Sequence, residues 1–407
     1  MKILVYPHVM EIGGSQLNAV QLAGAVRDLG HEVIVLSEPG PMVAKVRELG
    51  LEHLEIPRSR GVPSAMVSNR LARIVQDRRI DVVHGSEWPS VIEAFFGPGL
   101  RYRTPVVGTV MSMSVVWFFP RTVPLFVGTQ EMHQAAIKTG HRRVMLLEPP
   151  VDTEGDDPCV EDGRDFRRRL GIGDDEAMIV MVSRLASTLK LEGLIAACQA
   201  VGEIAAGSER RARLVIVGDG PVREQVAAQS AAANAAADRD VVILCGEMAD
   251  PRPAYASADI VIGMGGSALR GLAFAKPLVV IGEEGFSETL TDDTLGYFLQ
   301  KGWYGRGPGS LGAGVPALRR ALERLIDSPE MRFGLSKMSR QLVIDRFSLR
   351  RAARFLEQEY YAAIEDPVAT HVRAKDVALT AGGLATRLVW REIIRLSGVS
   401  RRQYSGQ

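Results

Sequence analysis

The stretch ADIVIGMGGSALRGLAFAKPLVVIGEEGFSE, residues 258–288, decides the fold of this chain. Its order predicts a strand, a glycine-rich turn, a short helix, a second strand and a further turn. The apolar run 260–262 is of the kind that a parallel sheet buries on both faces. Two parallel strands joined by a helix form one βαβ unit, so the stretch predicts α/β architecture.

The turn in this stretch is a candidate anion site. Gly263, Gly265 and Gly266 allow close backbone approach, and Ser267 is a favourable N-cap for the helix that follows. The first turn of a helix presents free N–H groups and a partial positive charge, which phosphate groups favour. Arg270 lies one turn further on, where its guanidinium can reach back toward the same anion. The alternative is a tight βα turn that binds nothing.

The same alternation extends over most of the chain in two series. Predicted strands and helices alternate over residues 3–147, and the pattern restarts over residues 165–281. Such alternation is typical of parallel sheets with helices on both faces. We therefore predict two Rossmann-like, doubly wound α/β domains with an interdomain cleft. The proline-rich, acidic stretch 148–158 separates the two series and is interpreted as a linker.

Composition sets broad limits on function. A chain of 407 residues is long for one core, which favours two or more domains. A formal net charge of +1 argues against a general nucleic-acid binder. The cysteines (Cys159, Cys198 and Cys245) are scattered without paired spacing, which argues against a disulfide framework or a zinc site. There is no signal-peptide pattern and no apolar run of transmembrane length, so we expect a cytoplasmic protein.

The end of the chain has a different charge balance. Residues 366–407 contain seven Lys and Arg against three Asp and Glu. At helical spacing one side carries Arg387, Arg391 and Arg395, and the opposite side carries Val389, Ile393 and Leu396. A basic amphipathic helix of this kind is typical of peripheral membrane contact. The alternative is a helix docked on its own protein with its arginines in water.

Six short motifs, in order, resemble those of the GT-B glycosyltransferases, most closely the family 4 retaining nucleotide-sugar enzymes. The motifs are GGSQ (13–16) leading to GHEV (30–33), DVVH (81–84), VSRL (182–185) followed by Lys190, VGDGP (217–221), ADI with KPLVV (258–260 and 276–280), and FS (347–348). The resemblance covers roughly residues 1–364. It implies the GT-B fold and a nucleoside diphosphate sugar as donor.

The resemblance also implies where the donor binds. Arg184 and Lys190 resemble the family's phosphate clamp, and a diphosphate leaving group needs positive charge where its negative charge develops. Gly13 and Gly14 correspond to the family's N-terminal glycine loop, on the diphosphate or acceptor side. His84 ends a strand, where open α/β sheets place ligands. Each assignment has a structural alternative. Arg184 and Lys190 could be a surface pair at the start of a helix, Gly13 and Gly14 a plain βα turn, and His84 a core histidine.

The sequence departs from the family pattern at two positions. The family's ribose-binding Glu aligns with Arg270, which can bind phosphate but cannot accept a hydrogen bond from ribose. Glu288 is the candidate replacement, since the turn containing Gly285 and Phe286 places it near the expected cleft. A Glu that stabilises a helix N-terminus is the alternative. Met111 stands where the family has a histidine near the transferred sugar.

These observations predict four regions with separate roles. They are an acceptor-binding domain (1–155), a nucleotide-sugar-binding domain (156–346), a crossover helix that returns to the first domain (347–364) and a basic amphipathic tail (365–407).

The predicted reaction is transfer of a sugar, with retention of configuration, from a nucleotide sugar to a small molecule or a lipid-linked glycan. UDP- or GDP-linked donors are favoured. No cofactor and no divalent metal is expected, because Arg184 and Lys190 serve the diphosphate. The alternatives are a catalytically silent homologue that acts as a partner subunit, and a nucleotide-sugar epimerase.

Overall fold

The chain divides into two compact units. The computed structural model describes residues 1–7, 9–57, 63–112, 114–207 and 211–396, with the backbone alone for residues 394–396. Unit 1 comprises Met1–Leu147 and Ala353–Gln407, and unit 2 comprises Glu148–Ala352. The predicted boundary at residue 155 lies beyond this division, because Val151 already forms a parallel β-bridge with Ser348 inside unit 2.

Unit 1 is built on a seven-stranded parallel sheet of order β3-β2-β1-β4-β5-β6-β7. Its strands are β1 (Lys2–Tyr6), β2 (Glu32–Ser37), β3 (Glu52–Glu55), β4 (Val82–Ser86), β5 (Val106–Val110), β6 (Leu125–Val127) and β7 (Val144–Leu146). The helices between them are α1 (Gly14–Arg27), α2 (Val43–Glu48), α3 (Ala65–Arg78), α4 (Glu87–Ala94), α5 (Leu100–Tyr102) and α6 (Gln130–Lys138), and Phe95–Gly99 forms a π-helical turn. The strand order reverses direction between β1 and β4, as in a doubly wound sheet.

Unit 2 carries a six-stranded sheet of order β10-β9-β8-β11-β12-β13. Its strands are β8 (Ala177–Val182), β9 (Ala212–Val217), β10 (Val242–Gly246), β11 (Ile260–Gly263), β12 (Leu278–Ile281) and β13 (Ser287–Thr289), of which β13 is antiparallel to β12. Its helices are α7 (Arg164–Arg169), α8 (Leu191–Gly207), α9 (Arg223–Ala237), α10 (Arg252–Ser257), α11 (Gly266–Ala273), α12 (Asp292–Lys301), α13 (Gly314–Asp327) and α14 (Pro329–Leu342), followed by a π-helical turn, Val343–Phe347.

The central strands of both sheets are buried on their two faces, as the apolar runs predict. All four residues of β11 and all four of β12 are buried, and so are the last four of β1. Helices on both sides exclude water from strands of this kind. The prediction of two Rossmann-like, doubly wound α/β domains is confirmed.

The chain returns to unit 1 through α15 (Leu349–Glu365), the predicted crossover helix. Tyr360 of α15 is fully buried, and its hydroxyl shares a 2.6 Å hydrogen bond with Nδ1 of His84. Glu357 shares a hydrogen bond with Nε2 of His31 at 2.7 Å, and Glu359 forms an ion pair with Arg143 at 2.5 Å. Residues from the far end of the chain therefore complete the core of unit 1.

A last helix, α16 (Thr370–Leu396), packs on unit 1 through a buried carboxylate. Asp376 accepts hydrogen bonds from the backbone N–H groups of Arg121 and Thr122, at 3.0 and 2.8 Å, and from the Thr122 hydroxyl, at 2.6 Å. Within the described ranges, no helix combines the length and the apolar character needed to cross a bilayer.

We expect Tyr360→Phe to lower the free energy of unfolding by about 1–3 kcal/mol, because it leaves Nδ1 of the buried His84 without a partner. Urea denaturation of the full chain measures the change. The matched control is Tyr361→Phe, because Tyr361 is 45% exposed, and we expect it to be neutral. Equal stability of the two variants would contradict the role assigned to Tyr360.

Candidate functional site

The candidate donor site lies at the carboxyl edge of the sheet in unit 2. The strand order reverses between β8 and β11, and open α/β sheets bind ligands where this reversal occurs. Ile260 and Val261 of β11 pair in register with Ile179 and Val180 of β8. The connections that follow these strands, 183–190 and 264–265, therefore leave the sheet side by side. They carry the predicted phosphate-binding residues.

Lys190 is held partly out of water with no opposite charge beside it. Its side chain is half-buried, and desolvation alone lowers the pKa of Lys190 to about 8. Leu189, just before it, has a φ of +65°, a strained value for a branched side chain. Arg184 is exposed, and in the described part of the chain neither cation has an ion-pair partner. Two unneutralised cations on one loop are the arrangement that an anion such as a phosphate favours.

The loop that carries Arg184 is supported by the turn after β9. The N–H of Leu185 donates to the carbonyl of Asp219 at 2.9 Å, and the Leu185 carbonyl accepts from Val222 at 3.2 Å. Gly218 and Gly220 have φ values of +145° and +154°. A Cβ on Gly218 would lie 1.9 Å from the Ser183 carbonyl oxygen, and one on Gly220 would lie 2.4 Å from that of Leu185. Glycine is therefore needed at positions 218 and 220 so that the loop carrying Arg184 can pack against this turn.

The glycine-rich turn before α11 differs in detail from the prediction. Gly265, with a φ of +55°, is the N-cap, so α11 begins at Gly266. Ser267 therefore lies inside the first turn instead of capping it, and its hydroxyl donates to the Met264 carbonyl at 3.0 Å. The N–H of Gly265 donates to the Trp303 carbonyl at 2.8 Å. The N–H groups of Gly266 and Ser267 face the start of the helix without intrahelical acceptors.

Arg270 does not reach toward this turn, contrary to the prediction. Its guanidinium forms a two-point ion pair with the buried Asp156, at 2.9 and 3.0 Å, and lies over the ring of Tyr255. Asp156 belongs to the stretch that was predicted to be a linker, yet it is 2% exposed. A guanidinium committed to a buried carboxylate is a structural group. The stretch 148–158, interpreted as a linker, therefore packs into unit 2 at this position.

Three further predicted site residues have structural partners. The carboxylate of Glu288, on β13, accepts from the backbone N–H and the hydroxyl of Ser310, at 2.5 and 2.7 Å. Phe286 is 6% exposed and stacks with Tyr297, which is 37% exposed. The N–H of Gly285 donates to the Glu192 carboxylate at 2.5 Å. We therefore leave all three out of the proposed chemistry.

His84 is a core histidine, which is the structural alternative to the predicted catalytic role. Its Nδ1 is bonded to Tyr360 and its Nε2 to the Thr109 hydroxyl, each at 2.6 Å. Burial lowers the pKa of His84 to about 4, so the ring is neutral at pH 7. With both nitrogens occupied, His84 has no atom left to exchange a proton with a substrate.

A small cavity adjoins His84 at the carboxyl edge of the sheet in unit 1, where the strand order reverses between β1 and β4. Its volume of about 20 Å³ is enough for about one water molecule. Gly13 is the N-cap of α1, with extended backbone, and Gly14 is its first residue, where a Cβ would meet nothing within 4 Å. The backbone conformation at these two positions does not require glycine. The predicted role of Gly13 and Gly14 toward a ligand stays a prediction.

Two further carboxylates at this edge of unit 1 are held by hydrogen bonds. Glu87, at a φ of +65°, accepts from the backbone N–H groups of Met111 and Ser112, at 2.9 and 3.0 Å. Glu93 is 1% exposed and accepts from the Tyr6 hydroxyl, and burial raises the pKa of Glu93 to about 7. An acidic residue within the apolar run 91–95 is the signal that could have indicated Glu93.

Among the described residues, no group of three or more His, Cys, Asp or Glu is arranged to hold a metal ion. The expectation that the diphosphate is bound without a metal stays a prediction.

Two family models match the chain. Residues 12–154 match the model described as Glycosyltransferase Family 4, and residues 176–305 match the model described as Glycosyl transferases group 1. An uncharacterized glycosyltransferase of Methanocaldococcus jannaschii is 27% identical over 212 residues, 50% of this chain and 50% of the relative. The chain thus spans about half the length of the curated relative it matches.

Solved structures show the same architecture over most of the chain. A glycosyltransferase from Rickettsia africae has a TM-score of 0.70 at 15% identity, covering 90% of this chain and 99% of that one. HepE of Anabaena, solved in complex with UDP-glucose, has a TM-score of 0.68 at 15% identity, covering 89% and 100%. At these identities the likeness establishes the fold, two Rossmann-like domains as in GT-B glycosyltransferases.

We expect Asp156→Asn to lower the free energy of unfolding by about 3–5 kcal/mol, because it leaves the Arg270 guanidinium without its counter-charge. Affinity for nucleoside diphosphates should stay within twofold of the wild type, as measured by calorimetry. Asp175→Asn removes an exposed partner of Arg211 and is the matched control, with no expected change in stability. A stable Asp156→Asn variant that has lost nucleotide affinity would show that Arg270 belongs to the binding site after all.

Proposed function

We propose that the protein is a glycosyltransferase that uses a nucleoside diphosphate sugar as donor, with the diphosphate bound at the carboxyl edge of the sheet in unit 2. The observation that carries the proposal is the pair of unneutralised cations, Arg184 and Lys190, beside the start of α11. The two glycosyltransferase domain matches support it. HepE, a structural neighbour solved with UDP and with UDP-glucose, supports a nucleotide sugar as donor.

The proposed chemistry follows from the charge that develops on the donor. When the bond between the anomeric carbon and the diphosphate oxygen breaks, negative charge grows on the departing phosphate. Lys190 supplies a point charge, Arg184 a planar fork of donors and α11 its first N–H groups. Cations already in place at that position stabilise the transition state without reorganisation. This set of groups requires no metal ion.

The acceptor step is proposed to proceed with retention of configuration. The acceptor oxygen bonds to the anomeric carbon on the face that the diphosphate leaves, and its proton passes to the departing phosphate oxygen. The products are a glycoside and a nucleoside diphosphate. Such a route asks for no protein base, which agrees with Met111 at the position of the family histidine and with the fully bonded His84.

We assign recognition of the acceptor, a small molecule or a lipid-linked glycan, to unit 1. The backbone N–H groups of Met111 and Ser112 are fixed by Glu87, so that loop has a defined conformation at the carboxyl edge of the sheet. The cavity beside His84 is too small for a sugar ring. Acceptor contacts are therefore assigned to the surface of this edge.

Lys190→Ala should weaken the binding of UDP or GDP by about 10- to 100-fold, because it removes a charge-assisted contact to phosphate. Titration calorimetry with UDP, GDP, ADP and TDP measures the effect and ranks the donors. Lys337→Ala, which removes an exposed lysine elsewhere in unit 2, should leave the affinity unchanged. Equal affinity of wild type and Lys190→Ala for every nucleotide would refute this site.

The affinity for the best nucleotide should fall by about tenfold per pH unit above pH 8, because free Lys190 loses its proton there. The affinity decreases with rising pH because a dianionic phosphate binds the ammonium form of Lys190 and not the neutral amine. Lys190→Arg keeps its charge over this range, so its profile from pH 7 to pH 9.5 should be flat. A flat wild-type profile would mean that Lys190 does not contact the nucleotide.

Turnover separates this proposal from its two alternatives. Release of nucleoside diphosphate from the donor, abolished by Lys190→Ala, supports a transferase. Tight nucleotide binding without turnover of any donor indicates the silent homologue. A changed sugar that stays attached to the nucleotide indicates an epimerase.

A further inference from the structure

The second half of α16 carries large apolar side chains that the protein does not cover. Every described residue from Ala385 to Ile393 is exposed, although the helix before them is buried at Asp376, Thr380 and Gly383. Val389, Trp390 and Ile393 are 59%, 62% and 50% exposed. A helix surface that contacts only water rarely exposes three large apolar side chains within five positions, because the exposure of apolar area to water is unfavourable.

These side chains share one face of α16. At 100° per residue, Leu379, Val389, Trp390 and Ile393 fall within an arc of roughly 100°. Leu379 is itself 50% exposed. Asp376 and Thr380, which are buried, lie to the other side of Trp390 on this wheel. The exposed apolar face therefore lies beside the contacts that fix the helix.

A second exposed tryptophan adjoins this face. Trp117 is 66% exposed, and a Cβ built on Gly383 would lie 2.9 Å from its Cζ3 atom. The small residue thus lets the indole lie directly against α16. Phe118 and Phe119, next to Trp117 in sequence, are buried. The Val115–Pro120 stretch is therefore partly core, while Trp117 extends the apolar face of the helix.

The charge at this end of the chain points to an anionic occupant. Residues 366–407 carry seven Lys and Arg against three Asp and Glu, while the other 365 residues carry 42 against 45. Arg387 lies over the rings of Trp88 and Phe118, at 5.2 and 5.9 Å, and Arg391 is exposed one turn further along. A helix with cationic residues on one side and an apolar face with tryptophans on the other matches the interface of an anionic bilayer.

The helix is held in place well enough to present this face. Asp376 accepts three hydrogen bonds from Arg121 and Thr122, and the Arg373 guanidinium donates to the Gly99 carbonyl. These contacts fix the first half of α16 on unit 1. The exposed second half of α16 continues from this anchored first half.

We propose that the apolar face formed by Trp117, Leu379, Val389, Trp390 and Ile393 binds the surface of an anionic phospholipid membrane, with Arg391 contacting the headgroups. The helix lies in the plane of the interface and does not cross it. This inference does not rest on the proposed glycosyl transfer, because it concerns lipid contact and not the donor site.

The test is co-sedimentation of the full chain with vesicles. One set contains phosphatidylcholine alone, and the other contains phosphatidylglycerol and phosphatidylcholine in equal amounts. We expect binding to the anionic vesicles, weaker binding to the neutral ones, and loss of binding at high salt. Nucleotide affinity is measured on the same samples, so that failure of the donor site is seen separately.

Two variants test the two components of the face. Trp390→Ala should reduce the vesicle partition coefficient by about tenfold or more, and Arg391→Glu by about fivefold or more. The matched controls are Phe333→Ala, an aromatic residue of α14 that is 70% exposed, and Arg354→Glu, an exposed arginine of α15. Both controls should bind vesicles like the wild type.

Other results would overturn the proposal. Absence of binding to anionic vesicles does so, as does binding that Trp390→Ala leaves unchanged. Sedimentation velocity without lipid identifies the competing occupant. If the wild type is a dimer that Trp390→Ala makes monomeric, and neither binds vesicles, the face is an interface between two copies of the chain.

Discussion

The candidate site depends on keeping one ammonium group partly out of water with no carboxylate near it. Desolvation disfavours the charged form of Lys190, and no described acid offsets that cost. The protein supports the arrangement with a strained residue before the lysine and with two glycines that admit the neighbouring loop. Binding of an anion would offset the free-energy cost of desolvating Lys190. A surface ion pair differs from such a site because its charges already neutralise each other.

The carboxyl edges of the two sheets differ in charge and in packing. In unit 2 the edge at the reversal of strand order is cationic, and Arg184 is exposed there. In unit 1 the corresponding edge is filled by His84, Thr109 and Tyr360, which satisfy each other's polar atoms. The same fold thus presents cations at this edge in one unit and a packed polar cluster in the other, and a few side chains at the strand ends make the difference.

Local patterns in the sequence predicted the fold well, and the partners of side chains poorly. Runs such as 260–262 and 278–281 identify buried strands, because parallel strands need apolar residues on both faces. The partners could not be predicted, because they come from distant parts of the chain. Asp156 meets Arg270 across 114 positions, and His84 meets Tyr360 across 276. Among the residues that the structure describes, Arg184 and Lys190 have no such partner, and their predicted role toward a phosphate stays a prediction.

The contact between His84 and Tyr360 also bears on how the chain is made. Unit 1 is interrupted by more than 200 residues of unit 2, so its core is incomplete when the ribosome has finished β7. At about 5–20 residues per second, roughly 10–40 s pass before Tyr360 emerges. During that interval the imidazole of His84 has no permanent neighbour on its Nδ1 side. Unit 2, which is continuous in sequence, can reach its native state first, and the amino-terminal half of the nascent chain is the part that a chaperone has most time to engage.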